Sequence, residues 1–101
     1  MEHTFLRPLV KRLSRVPAHR WEYVAKPFYT LYVTSLESLR ISVACHDEGY
    51  LLTVRERGIL LFSEQSTLVE PGRVGTLYTR IADEKVRYDQ QGLKRLRNLV
   101  K

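Results

Sequence analysis

The residues of this 101-residue chain that have the chemistry for catalysis or metal binding are few and dispersed. His3, His19 and His46 lack the i, i+4 or short-loop spacing that converges imidazoles on a metal ion, so no metal site is expected. His46-Asp47-Glu48 is the one tight polar cluster of mixed titratable types, suited on paper to a hard cation or an acid–base pair. It precedes Gly49, however, and Asp and Glu beside glycine are ordinary turn residues. Asp83-Glu84-Lys85 reads the same way, as a charged turn. Gly72 and Gly75 flank Arg73-Val74 in what reads as a loop with no helix after it, so no phosphate cradle is formed. The single cysteine, Cys45, excludes an internal disulfide and any thiolate-rich zinc site. It alternates with polar neighbours, so its side chain and that of His46 should lie on opposite faces of a strand, as a nucleophile and its base would not. The expectation is a protein without catalytic residues or cofactor.

Charge is the stronger signal. The net charge is +6, and it is segregated: residues 1–20 carry Arg7, Lys11, Arg12, Arg15 and Arg20 against Glu2, a net +4. Residues 90–101 carry Lys94, Arg95, Arg97 and Lys101 against no acid, again +4, which leaves the middle of the chain at −2. Arginine outnumbers lysine twelve to five; its planar fork suits carboxylate or phosphate, although a composition bias of the source genome gives the same ratio.

These cations need elements to hold them. Phe5, Leu6, Leu9, Val10, Leu13 and Val16 recur at helical spacing, with Thr4 placed to cap and Pro8 suiting a helix that begins near Arg7; Pro17 ends it. From Arg20 the period changes to two. Arg20–Ala25 reads as a strand, 28–34 as a central strand apolar on both faces, and Leu39, Ile41, Val43 and Cys45 as the dry side of a third. Residues 35–39 also suit a helical turn. Turns at Glu48-Gly49 and Arg57-Gly58 predict an antiparallel meander through 50–57 and 59–63. Pro71-Gly72 marks a loop, Thr76–Ile81 and Lys85–Tyr88 read as a last hairpin, and Asp89 as the cap of a final helix striped by Leu93, Leu96, Leu99 and Val100. The expected fold is a single α+β domain over 1–101: an N-terminal helix, a mostly antiparallel sheet of about five to seven short strands, and a C-terminal helix.

An apolar fraction of 44% supports a folded core, and no apolar run approaches the ~20 residues of a membrane helix. Arg7, Pro8, Lys11, Arg12 and Arg15 interrupt the hydrophobic residues where a secretion signal needs them continuous, so a cytoplasmic location is expected. Two uses follow. In the first, the protein is a small basic accessory protein that grips nucleic-acid phosphates, DNA or RNA, through Arg7, Lys11, Arg12, Arg15, Arg20, Lys94, Arg95, Arg97 and Lys101. Arg55, Arg57, Tyr78 and Arg80 would add contacts from a strand face, with Arg40, Lys85 and Arg87 nearby. In the second, it is an inhibitor, adaptor or small subunit, alone or as a homodimer. Its helix stripes and a sheet edge then meet an acidic protein surface. Leu9 and Leu13 are the stripe positions through which such a partner would be held.

Overall fold

Tight turns between apolar–polar alternations fold the middle of the chain into one antiparallel sheet. The computed structural model describes residues 3–100, with side chains from Phe5 onward. Its five strands are β1 (Glu22–Ala25), β2 (Tyr29–Leu36), β3 (Leu39–His46), β4 (Gly49–Glu56) and β5 (Ile59–Thr67), in the order β1-β2-β3-β4-β5. The pairings Leu36↔Leu39, His46↔Gly49 and Glu56↔Ile59 leave two-residue turns between the last four strands. In the third turn both residues have positive φ, 51° at Arg57 and 83° at Gly58, the backbone whose twist matches its flanking strands. Gly49 serves a different need: a Cβ there would sit 2.0 Å from the Ser66 carbonyl oxygen, so only glycine lets β4 start flush against β5. The sheet is irregular once, where Val54 faces Phe62 but Arg55 faces Leu60, which leaves Leu61 as an extra, bulged residue.

Period two then decides the faces. Tyr32, Ile41, Val43, Leu52 and Val54 point to one side, where they are buried with Leu13, Val16, Trp21, Val74, Leu77 and Ile81 in one cluster. Each fully buried Leu or Ile contributes roughly 1.5–3 kcal/mol through removal of its surface from water. The buried polar side chain Thr34 is satisfied by donating to the Arg20 carbonyl at 2.9 Å.

Two helices supply the cover. The first, α1 (His3–Leu13), starts earlier than the expected Arg7 and carries Pro8 inside it, where the ring removes one backbone donor. The Thr4 side chain lies outside those described. Ser14 closes the helix, its amide and hydroxyl both donating to the Val10 carbonyl at 2.9 and 2.8 Å. A 3₁₀ turn at Ala18–Arg20 follows, occupying the start of the expected strand. The second helix, α2, runs unbroken from Gly72 to Leu99, about 42 Å at 1.5 Å per residue.

That helix overturns the expected hairpin at 76–88. Thr76, Tyr78, Thr79, Ile81 and Val86 are strand formers, but Val74, Leu77 and Ile81 at helical spacing meet an apolar sheet face, and burial outweighs propensities of a few tenths of a kcal/mol. Asp89 consequently lies within the helix and caps nothing. Two smaller corrections follow from topology: β3, not β2, is the central strand, and 35–39 is a hairpin rather than a helical turn. No described helix is long and apolar enough to cross a membrane.

Gly75 belongs to this helix rather than to a phosphate loop. A Cβ at that position would lie 2.3 Å from the Pro71 Cβ and 2.8 Å from the Tyr50 ring, so the missing side chain is what lets α2 sit on β4. Gly75→Ala should therefore destabilise the protein by about 2 kcal/mol in urea unfolding, against the ~1 kcal/mol gain that the same change gives at an open helical position. Leu13, 0% exposed, is core: Leu13→Ser should cost about 3–5 kcal/mol and unfold the sheet rather than merely free a partner.

Candidate interaction surface

Four tyrosines lie across the covered face. Ring centroids are 5.2 Å apart for Tyr23–Tyr32, 5.2 Å for Tyr32–Tyr78 and 5.6 Å for Tyr50–Tyr78, tilted as aromatic pairs prefer. The Tyr78 hydroxyl and Thr30 hydroxyl are 2.6 Å apart, which satisfies the phenol's polar end. Burial pushes the Tyr32 phenol above its ordinary pKa; burial does the same for Tyr78, offset in part by its bond to Thr30. The Cys45 thiol is likewise raised by burial, which keeps it protonated and unreactive. These groups pack the core. His46-Asp47-Glu48 is a turn, with the Glu48 amide donating to His46 Nδ1 at 3.2 Å. Among the described residues no group of three His, Cys, Asp or Glu is placed to hold a metal.

The cations divide into separate sets. Arg7, Lys11, Arg12 and Arg15 are exposed along α1, and Arg20 is exposed on the 3₁₀ turn after it. Val10 and Ser14 of α1 share a cleft with Arg73, Thr76, Leu77 and Arg80, so α1 lies beside the first part of α2. Lys94, Arg95 and Arg97 are on the same helix, but Arg95 lies about 33 Å beyond Arg73 along the axis. His19, next to Arg20, meets Tyr88, which lies about 10 Å short of Arg95 along the same helix. Lys101 lies outside the described residues.

The expected strand-face set disperses as well. Arg55 is exposed on the uncovered sheet face, directly opposite Arg40, and Arg57 is in the turn after it. Tyr78 and Arg80 are on α2 instead: Tyr78 points into the tyrosine cluster, and Arg80 is paired through Nε with Glu84 at 3.4 Å. Lys85 and Arg87 are on α2 with them.

What the fold does assemble is an apolar groove of about 770 Å³ between α1 and β5. Phe5, Pro8 and Leu9 form its helical wall; Leu39, Val54 and Phe62 form its floor; Leu60, Leu61 and Ser63 form the opposite wall. Phe5 is 65% exposed, and Ile59, Leu60 and Leu61 are 66%, 47% and 55% exposed. Local sequence explains this. The spacing of 5, 8 and 9 puts three apolar groups on one side of a helix, while the unbroken run Ile59-Leu60-Leu61-Phe62 breaks the alternation of an edge strand and is bulged at Leu61. That four-residue apolar run is the signal that a reading centred on charge passes over. Arg12 lies one helical turn beyond Leu9 and Pro8 on α1, and Arg57 stands two residues before Ile59.

No family model, curated protein or solved structure matches this chain.

The tyrosine cluster makes stability pH-dependent in one direction. Tyr32 and Tyr78 have folded pKa values above the value near 10 of an unfolded tyrosine, so unfolding releases their protons first as pH rises. Their contribution is complete below about pH 10 and is lost as pH climbs through the folded values. The urea midpoint should stay level from neutral pH to about pH 9 and fall above it, and Tyr32→Phe should make that fall shallower.

Proposed function

We propose that this protein is a non-catalytic binding module that holds an acidic, amphipathic helix of a partner protein in the groove between α1 and β5. The observation that carries the reading is an exposed apolar cleft bordered by a helix whose charged groups are all cationic. Among the described side chains of α1, Arg7, Lys11 and Arg12 carry charge and none is acidic, and Arg15 follows just beyond it. The groove volume falls in the range of clefts that bind ligands, and its apolar walls suit the spaced apolar anchors of a partner helix.

Magnitudes divide the roles. Each apolar anchor buried in the groove is worth roughly 1.5–3 kcal/mol, whereas an exposed ion pair at its rim is worth about 0.2–1 kcal/mol. Affinity thus comes from the groove, and the cations select an acidic partner and speed its approach. Nucleic acid fits this cleft less well, because the groove lining has a hydroxyl, Ser63, as its one polar side chain for base edges.

Two model helical peptides with identical leucine spacing test the reading, one flanked by Glu and one by Lys, titrated into the ¹⁵N-labelled protein. The Glu peptide should shift the amides of Leu9, Leu60 and Leu61 and bind on the order of tenfold tighter than the Lys peptide. Leu61→Glu should abolish that binding with the sheet intact, since Leu61 is exposed. Equal binding of both peptides, or none, overturns the proposal. A single-stranded oligonucleotide that instead moves Lys94, Arg95 and Arg97, with affinity falling steeply in salt, favours nucleic-acid association.

A further inference from the structure

α2 is far longer than the sheet it covers. Its buried residues, Val74, Gly75, Leu77 and Ile81, all lie in its first ten positions, and a contact between Tyr88 and His19, with ring centroids 5.9 Å apart, follows on its second half. Beyond Tyr88 the helix continues for about 16 Å and contributes to an elongated molecule, 56 × 32 × 25 Å. Val86, Leu93 and Leu96 are 54–55% exposed, and Leu99 and Val100 are 83% and 75% exposed. A solitary helical stretch of this length is marginal in water, and Gly92 weakens it by about 1 kcal/mol more. Polar residues would serve such an extension better than leucines unless something covers it.

Spacing and charge identify the cover. Val86, Asp89, Leu93, Leu96 and Val100 follow one another at intervals of 3, 4, 3 and 4, the a/d pattern of paired helices, broken once by Asp89. We infer that residues 83–100 of α2 pair with the same segment of a second copy of this chain, in antiparallel orientation. This surface is separate from the groove and does not depend on its occupant.

Orientation follows from which groups each arrangement opposes. Antiparallel pairing stacks Val86 on Leu96 of the second copy and Asp89 on Leu93. It also brings Asp83 to Arg97 twice, at symmetric flanking positions, and Gly92 beside Gly92 at the centre, where a Cβ would meet nothing within the monomer. Acid is gathered early in the segment, at Asp83, Glu84 and Asp89; from 90 to 100 the charged residues are Lys94, Arg95 and Arg97. Parallel pairing would set Asp89 against Asp89 in a core layer and lay the two basic stretches side by side, and both contacts are repulsive. The antiparallel pair relieves both.

Sedimentation of the full chain tests the inference, with disulfide trapping in a Cys45→Ser background. The chain should be a dimer. Leu93→Glu with Leu96→Glu should make it monomeric while the far-ultraviolet signal of the sheet is retained. Gly92→Cys should form a cross-linked dimer under mild oxidation, whereas Leu96→Cys, which opposes Val86 in this register, should not. As a variant that leaves the apolar stripe alone, Asp83→Arg should weaken the dimer on the order of tenfold, and adding Arg97→Asp should restore it. A monomeric chain, a dimer that survives the double glutamate substitution, or self-cross-linking through Leu96→Cys overturns the inference.

Discussion

The seating of one stretch of α2 on the sheet is the contact from which the rest of the molecule follows. A single five-stranded sheet with Ile41, Val43, Leu52 and Val54 on one face must cover that face, and the first ten residues of α2 bring Val74, Leu77 and Ile81 against it. The approach is close because Gly75 has no side chain where Tyr50 and Pro71 converge. Helical glycine ordinarily costs about 1 kcal/mol. Here the gain from seating three fully buried aliphatic residues exceeds that cost several-fold. Once α2 is placed, α1 takes the remaining strip of the face, through Leu13 and Val16, and Trp21 fills the space that opens where the chain turns from the 3₁₀ turn into β1.

The same seating determines what is left uncovered, and the uncovered parts are where binding can occur. The amino-terminal turns of α1 reach past the core, so Phe5 and Pro8 stand opposite the bulged edge of β5 with a cleft between them. The far half of α2 has no sheet beneath it. Both surfaces are apolar with charged borders, cationic at the groove and divided between acid and base along the helix. Tyr32 and Cys45 on the covered sheet face and Tyr78 on α2 meet between helix and sheet, so the titratable groups with perturbed protonation lie away from both exposed surfaces.

Legibility followed local interactions. The alternation Leu39, Ile41, Val43, Cys45 and the turn at Arg57-Gly58 specify strands and a hairpin through neighbours alone, and β3, β4 and β5 appear where those residues place them. The stripe of α1 was equally plain, although Pro8 suggested a later start. Residues 76–88 were not legible, because Thr, Tyr, Ile and Val there favour strands locally, and the helix is stabilised by sheet residues as far back in the chain as Ile41. With that hairpin went the grouping of Tyr78 and Arg80 with Arg55 and Arg57: the first two lie on α2, the others on and beside β4. The groove was invisible for a related reason. Its walls come from residues 5–9 and 60–63, and only the packing of α1 beside β5 brings them together.

By itself, then, the sequence determined an α+β chain with a helix at each end, an antiparallel meander between them, and a net positive charge that resides in the terminal segments. Each of those properties depends on composition or on neighbours within a few residues. Tertiary structure alone decided that α2 begins at Gly72, that α1 lies beside its first part, and that a groove opens between α1 and β5. Those outcomes depend on where one apolar face finds another, and that free energy is released only when distant segments meet.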